Sequence, residues 1–496
     1  MSIYRRPKDG APAGDAIPFT FDGVYHLFHL SSPPGTVVYP HRVRTTWRHV
    51  RSCDLLTWEE LPPALRPGEA GEPDADGVWT GSLVEADGVF HVFYTGHKLG
   101  SDSPQTICHA TSSDLVHFEK DPANPVLRPT SHFETVDWRD PFLLWNEEEQ
   151  VYWMLIACRL RAGPKWRRGC IALATSPDLI TWSVEPAPLY APMNTYCLEC
   201  PELFELKGRW YLVYSRFSED AATVYRIADD PRGPWRVPDR ETFDGRRWYA
   251  AKSMPTTGAR VFFGWVHDRD GATDTGAWLW GGDFTVPREV TATASGALQA
   301  RLPKHVADSF DRPLSLEVAE PPSSDREKKD GALQLGDEGR FAWRTIDVPA
   351  TEYLFTCRFR SSGAPATFGL LLRPDSDLAA HAIVFDRMRR TVSLVRWPPP
   401  LDSFWADLVG RSEEVREVDG PRLVEHPLDW SLDGAGVECQ LLISGSIAEF
   451  YVNHSVAMTY RIYGGGLHQL GVFVDDGSLI CDGIGVSAAT FLALRP

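Results

Sequence analysis

Three acids spaced along the first two-fifths of the chain have the residue types and settings for acid–base chemistry: Asp15, Asp140 and Glu199. Glu199 lies in Thr195–Phe204, T-Y-C-L-E-C-P-E-L-F, directly before Cys200-Pro201 and an apolar run. That alternation predicts a short strand with one polar end. Asp140 stands in Trp138-Arg139-Asp140-Pro141-Phe142, and Asp15 in Gly14-Asp15-Ala16-Ile17-Pro18-Phe19. A lone acid is ordinarily a solvated surface group. These three share a setting, each about 10 to 12 residues before an aromatic-rich strand of a recurring pattern. Brought together they would repel one another, raising the pKa of at least one. Cleavage of a glycosidic bond uses such a set, one carboxyl protonated to donate to the leaving oxygen and another ionised to attack or to activate water.

The elements that must position these acids are legible as an internal repeat. Asp22-Gly-Val-Tyr-His-Leu-Phe-His-Leu30 is echoed at Asp87–Tyr94, Gln150–Ile156, Gly208–Tyr214 and Gly258–Trp265. A second element, Ser52-Cys-Asp54-Leu-Leu-Thr-Trp58, recurs at Ser113–Phe118 and Ser176–Trp182, with a looser copy at Asp230–Trp235. Its Asp-Leu-x-x-Trp core predicts a turn carrying an aromatic wedge between sheets. The spacing of roughly 50 to 65 residues is the period of a four-stranded propeller blade. The chain is therefore expected to be all-β, with a five-bladed β-propeller over residues 1–305, a linker or loop over 306–335 and a β-sandwich over 336–496. In a propeller the first strand of each blade runs beside the axis, so the three acids are expected at one mouth of the central channel. The linker contains the charged run Glu320-Pro-Pro-Ser-Ser-Asp-Arg-Glu-Lys-Lys-Asp330, and alternating strands resume at Phe341.

Composition limits the partners. The 496 residues carry 50 Lys and Arg against 67 Asp and Glu, a net charge of −17, which disfavours nucleic acid and anionic membranes. The N-terminus has no apolar signal-peptide core, and no apolar run approaches membrane-spanning length. The nine scattered cysteines suit reduced thiols, so a cytoplasmic location is expected, with no metal and no cofactor. The 18 tryptophans suit a carbohydrate cleft as well as a core. The expected partner is a small carbohydrate, with homo-oligomerisation left open.

The chain resembles glycoside hydrolase family 32, the invertase and fructanase family. Arg139-Asp140-Pro141 resembles its RDP motif, Glu199-Cys200-Pro201 its EC(P) motif and Trp79-Thr80-Gly81-Ser82 its FSGS block. Trp47-Arg-His-Val-Arg-Ser-Cys-Asp54-Leu55-x-x-Trp58 follows the WGHATSxDLxxW block, and Trp280-Gly281-Gly282 with Pro287-Arg288 resembles the propeller's end. Beyond the propeller, Leu442–Asn453 is similar to the DxSxxExFxN strand pair of the family's sandwich. The resemblance implies a retaining hydrolase of fructofuranosyl or closely related furanosyl bonds. Asp15 would be the nucleophile, Glu199 the acid and then the base, and Asp140 the residue that holds sugar hydroxyls. Arg139, Thr80, Trp47, Trp79 and Trp280 would line the substrate site. Departures from the family pattern bear on the sugar read: Gly14 stands for an Asn, Leu30 for a Gln, Arg247 for an Asp and Lys252 for a Gln. Arg247 and Lys252 are expected to contact substrate. The same residues suit a fructosyl transferase or a difructose-anhydride-processing enzyme. An inverting arabinofuranosidase-type propeller would also use three acids, and a non-catalytic carbohydrate-binding propeller is the alternative outside enzymes.

Overall fold

The computed structural model describes residues 3–218, 220–318, 332–336, 340–361, 365–375, 378–399, 402–410, 419–420, 422–428, 430–463 and 467–490. It is almost entirely β. Among the described residues the α-helices are two short ones, Lys304–Asp308 and Ser403–Leu408, and no helix is long and apolar enough to cross a membrane. The chain divides into two compact units, one of residues 1–242 with 247–299 and one of residues 243–246 with 300–496.

The first unit is built from antiparallel meanders. Strands Gly77–Ala86, Val89–His97, Gln105–Ser112 and Glu119–Lys120 form one sheet, and Phe133–Asn146, Val151–Leu160, Gly169–Ser176 and Ser183–Val184 a second. Glu199–Glu205, Trp210–Arg216 and Ala222–Ala228 form a third. A nine-stranded sheet runs from the meander Ala13–Phe21, Val24–Ser31, Thr46–Ser52 and Glu59–Leu65 into the strands between Trp248 and Arg301. The two halves of that sheet are joined at the single register pair Ala13–Gly282. The hairpins close where residues of positive φ permit a tight right-handed twist: Asp22-Gly23, Asp87-Gly88 and Lys207-Gly208 have both central residues at φ of 47 to 79°.

The first strands of the meanders touch in cyclic order. Ala13–Phe21 contacts Gly77–Ala86, which contacts Phe133–Asn146, then Glu199–Glu205, then Trp248–Thr256, which returns to Ala13–Phe21. Their flanks are sealed by aromatic wedges from the Asp-Leu turns. In each turn an Asp side chain accepts two backbone N–H groups, as Asp54 does from Leu56 and Thr57 at 2.8 and 2.7 Å, and the following Leu is buried at a φ near +61°. Trp182 then meets Phe93 edge-on at 5.3 Å, Phe118 meets Phe28 at 5.7 Å, and Trp58 meets Phe263 at 6.0 Å. Each pair joins neighbouring meanders and buries apolar area between them.

Among the described residues the second unit is two seven-stranded antiparallel sheets. Phe359 and Phe450 of one sheet pack against Phe368 and Phe385 of the other, with centroids 5.3 to 6.4 Å apart. In the stretch after Phe341, where alternating strands were expected, strands occur at Glu352–Arg360, Thr367–Leu372 and Thr391–Trp397. Of the expected linker, the run Glu320–Asp330 lies outside the described residues. The described remainder carries strands Arg312–Pro313, Glu317–Val318 and Leu333–Leu335, which pair with strands of this unit.

Candidate active site

Every first strand of the first unit breaks its register at the same level. The interruptions fall between Ala13 and Ala16, Trp79 and Gly81, Glu199 and Glu202, and Tyr249 and Lys252, and opposite Leu155–Ala157 in the strand that carries Asp140. A bulge turns one side chain out of the pleat and re-aims it. Asp140, Cys200 and Ala250 sit at these bulges with φ of 56, 50 and 48°, a left-handed conformation disfavoured for side chains larger than glycine. Bonds to a neighbouring strand accompany it: Asp140 N donates to Thr95 Oγ1 at 2.8 Å, and Cys200 N to Asp140 Oδ2 at 2.9 Å.

The bulges bring the three acids together around Cys200. Its amide bonds Asp140, its thiol is 3.7 Å from Asp15 Oδ2, and Glu199 is its chain neighbour. Asp15 accepts from Thr80 Oγ1 at 2.5 Å and from Trp265 Nε1 at 3.1 Å. Glu199 accepts from Arg139 Nη2 at 3.0 Å and from Tyr249 OH at 2.6 Å. Arg139 also bonds Asp137 at 2.5 Å, Gln105 at 3.0 Å and the Cys197 thiol at 3.2 Å, and lies 3.7 Å from Asp140. The guanidinium is thus a fixed bracket behind two acids.

Burial and repulsion set the proton affinities. Asp140 is pushed up to about 7, chiefly by burial; Arg139 opposes this, and Glu199 and Asp15 add to it. Burial also raises Asp15, with the Thr80 bond opposing and the Glu199 charge adding. The Tyr249 phenol is raised by burial and by Glu199, so it remains a donor. Among the described residues no group of three or more His, Cys, Asp or Glu is arranged to hold a metal ion.

The remaining expected residues divide. Thr80 is buried on Asp15. Trp79 is half-buried, stacked on His97 at 4.1 Å, with its N–H on the Val43 carbonyl at 2.8 Å. Trp280 is half-buried beside Trp265, and its ring occupies the space over Gly14, where a Cβ would lie 2.4 Å from Cη2. Gly14→Ala is therefore expected to displace Trp280 and cost about 1–3 kcal/mol, read as a lower Tm. An unchanged Tm and KM would show that the ring yields freely. Trp47 is a correction: it has no exposed surface and donates to the Trp79 carbonyl at 2.9 Å, so it packs behind the site and presents no face to a sugar. Arg247 lies with its guanidinium 4.3 Å over Trp278.

Lys252 is also corrected. It is 2% exposed, with Nζ on the Gly81 carbonyl at 3.0 Å and 5.3 Å from the Phe142 ring centre. It lies beneath the acids and is closed to substrate. Burial lowers its pKa, while Cys200, Glu202, Asp140 and Asp15 favour its charged form. By the same attraction Lys252 favours the ionised aspartates. Lys252→Met is expected to move the acid limb of the pH–rate profile upward and Lys252→Arg to restore part of it; coincident profiles would remove this role.

Two residues that the sequence did not assign to the site belong to it, Tyr249 and Trp265. They are register partners across the last meander. Trp265 ends the fifth repeated strand and Tyr249 begins its neighbour, the position in the repeat that holds the acids elsewhere. That equivalence was the available signal.

The model of the glycosyl hydrolases family 32 N-terminal domain matches residues 15–301, more than half of the chain. An insoluble β-fructofuranosidase isoenzyme of Arabidopsis thaliana is 28% identical over 313 residues, 56% of this chain and 53% of the relative. A sucrose-6-phosphate hydrolase of Escherichia coli is 29% identical over 310 residues, 58% and 61% of the two chains. The chain thus matches little more than half the length of these relatives. Among solved structures, the sucrose-6-phosphate hydrolase of Lactobacillus gasseri superposes with a TM-score of 0.74 at 21% identity, covering 99% of this chain and 93% of the other, a likeness of fold. With its match running from Asp15 through all the bulged strands, this chain belongs to glycosyl hydrolase family 32.

Proposed function

We propose that the protein hydrolyses terminal fructofuranosyl or closely related furanosyl bonds with retention of configuration. The observation that carries this is the meeting of three acids from three separate strands on Cys200. The scaffold in this reading is a five-bladed propeller. It is supported by the cyclic contact of the five first strands, with the nine-stranded sheet counted as two blades bridged at Ala13–Gly282. The propeller covers residues 1–305, and the sandwich follows it.

In the first step Glu199 passes its proton to the glycosidic oxygen as a carboxylate oxygen of Asp15 attacks the anomeric carbon. The leaving group departs as an alcohol, and the sugar stays on Asp15 as an ester. In the second step Glu199 takes a proton from water, whose oxygen attacks the same carbon and frees Asp15. Thr80 and Trp265 hold Asp15 by both oxygens, so little orientation is lost as it attacks. Asp140 accepts sugar hydroxyls, with bonds that strengthen as positive charge develops on the ring. Trp79 and Trp280 flank the sugar. Nine free cysteines suit a reducing compartment, which favours the cytoplasm.

The test is turnover of sucrose, inulin, levan, difructose anhydrides and arabinofuranosides by the purified protein, with the first-formed anomer followed by NMR. Release of β-fructofuranose from a β-fructofuranoside is expected. The α anomer as first product would replace this mechanism by an inverting one, and turnover of arabinofuranosides alone would replace the sugar.

A further inference from the structure

The strand that carries Asp140 is broken twice. Besides the interruption level with the acids, residues 134–137 bulge out between the register pairs Phe133–Leu160 and Trp138–Cys158. The bulge sets two carboxylates, Glu134 and Asp137, against Arg159 of the neighbouring strand. Arg159 Nε lies 2.9 Å from Glu134 and 3.8 Å from Asp137, and its side chain is 1% exposed. The Tyr196 ring centre lies 3.7 Å from its guanidinium carbon. Arg168 pairs with the other oxygen of Glu134.

Joined to the bracket behind the acids, these groups make one file of alternating charge. It runs from Glu199 to Arg139, Asp137, Arg159, Glu134 and Arg168. Hydrogen bonding alone does not call for an acid at position 137, because Gln105 accepts from the same Nη1 of Arg139 at 3.0 Å. What Asp137 adds is charge. Arg139, 3.0 Å from Glu199, favours the ionised carboxylate and so works against a proton donor. A second carboxylate, 2.5 Å from the same guanidinium, offsets that pull. Arg139, Asp137 and Arg159 are all buried, so solvent and salt screen the file little. Glu199 also faces Asp140 on the strand of Arg139, Tyr249 and Asp15 on two others, and Cys197 and Cys200 of its own segment. Asp137 faces Arg139, Arg159, Tyr196 and Cys197.

We infer that Asp137 is a positioning residue of the reaction: acting through Arg139, it keeps the proton on Glu199 until the leaving oxygen takes it. This rests on the reading of Glu199 as the proton donor. Farther along the file Glu134 acts with the same sign and Arg168 with the opposite one, each more weakly.

The experiment follows the alkaline limb of the kcat/KM profile on sucrose, which reports loss of the donor's proton in the free enzyme. Asp137→Asn keeps an acceptor for Arg139 and removes the charge, so the limb is expected to move to lower pH by about one unit. Glu134→Gln is expected to move it the same way by a few tenths of a unit, roughly, and Arg168→Met the opposite way by a similar amount. An unmoved limb in Asp137→Asn overturns the inference, as do shifts of one sign in all three variants, which mark a general disturbance of the strand. If Asp137→Asn does not fold, the opposite signs of the other two decide. A readout independent of turnover is the carboxyl ¹³C titration of Glu199 in protein labelled at glutamate, its signal assigned by its loss in Glu199→Gln. A midpoint lowered in Asp137→Asn supports the inference even if no sugar is hydrolysed, in which case the hydrolytic reading alone fails. Coincident titrations of wild type and Asp137→Asn overturn it.

Discussion

Replacing Asp15 by Asn is expected to lower kcat by about four orders of magnitude or more, with the fold intact. The reason is chemical. Asn keeps the shape and can accept from Trp265 through its one oxygen while its NH2 donates to the Thr80 hydroxyl, but it offers no carboxylate oxygen to form the ester. Glu199→Gln removes a different part, the proton carried to the leaving oxygen, and is expected to cost about 10³-fold or more on sucrose. The cost should be much smaller on an aryl fructofuranoside, whose leaving group departs without full protonation. Azide separates the two roles. In Asp15→Gly it can attack from the vacated side, giving a fructosyl azide of inverted configuration. In Glu199→Ala it can take the sugar from Asp15, giving net retention. Turnover surviving in Asp15→Asn removes that residue as nucleophile, and azide products of the opposite configurations would exchange the two assignments.

Asp140→Asn is expected to raise stability while lowering kcat/KM by two to three orders of magnitude. The carboxyl titrates near 7 in the folded protein, raised by burial, against about 3.9 in an unfolded chain. Between those values the native state holds a proton that the unfolded state has lost. Stability from this group is therefore greatest below the unfolded value and falls as pH rises through the window. Asn has no proton to lose and still accepts the Cys200 amide. The variant should thus match the wild type near pH 4 and exceed it above pH 7, by on the order of 2–4 kcal/mol. Activity falls because an amide cannot accept from sugar hydroxyls as strongly as a charged carboxylate. Thermal unfolding of both proteins across pH 4 to 8 is the measurement, and a difference in Tm that stays flat with pH would refute the argument. The trade follows from the site: a charge costly to bury persists where the transition state uses it.

Much of this molecule was legible without coordinates, for identifiable reasons. The repeated strands announce themselves because aromatic and β-branched residues alternate between Asp-Gly-type turns, and the Asp-Leu turns recur because one Asp side chain caps two amides. The acids could be named because each occupies the same place in a repeat, so that equivalence by translation along the chain becomes proximity in the fold. Side-chain facing within the site was a different matter. Pattern reading assigns faces by counting in twos, and every first strand carries a bulge at the level of the acids. A bulge inserts one residue and reverses the parity beyond it. Plain alternation would put Lys252, three residues past Tyr249, on the opposite face; the bulge brings both to one face, with Tyr249 bonded to Glu199 and Lys252 buried farther along on the Gly81 carbonyl. Trp47, at a register shift in the third strand of its meander, is likewise sealed from the pocket by its own neighbours. Composition and repeat determined which residues would meet. Only the tertiary structure decided which faced the substrate, because that depends on local breaks in periodicity and on rings from distant strands, such as Trp280 over Gly14.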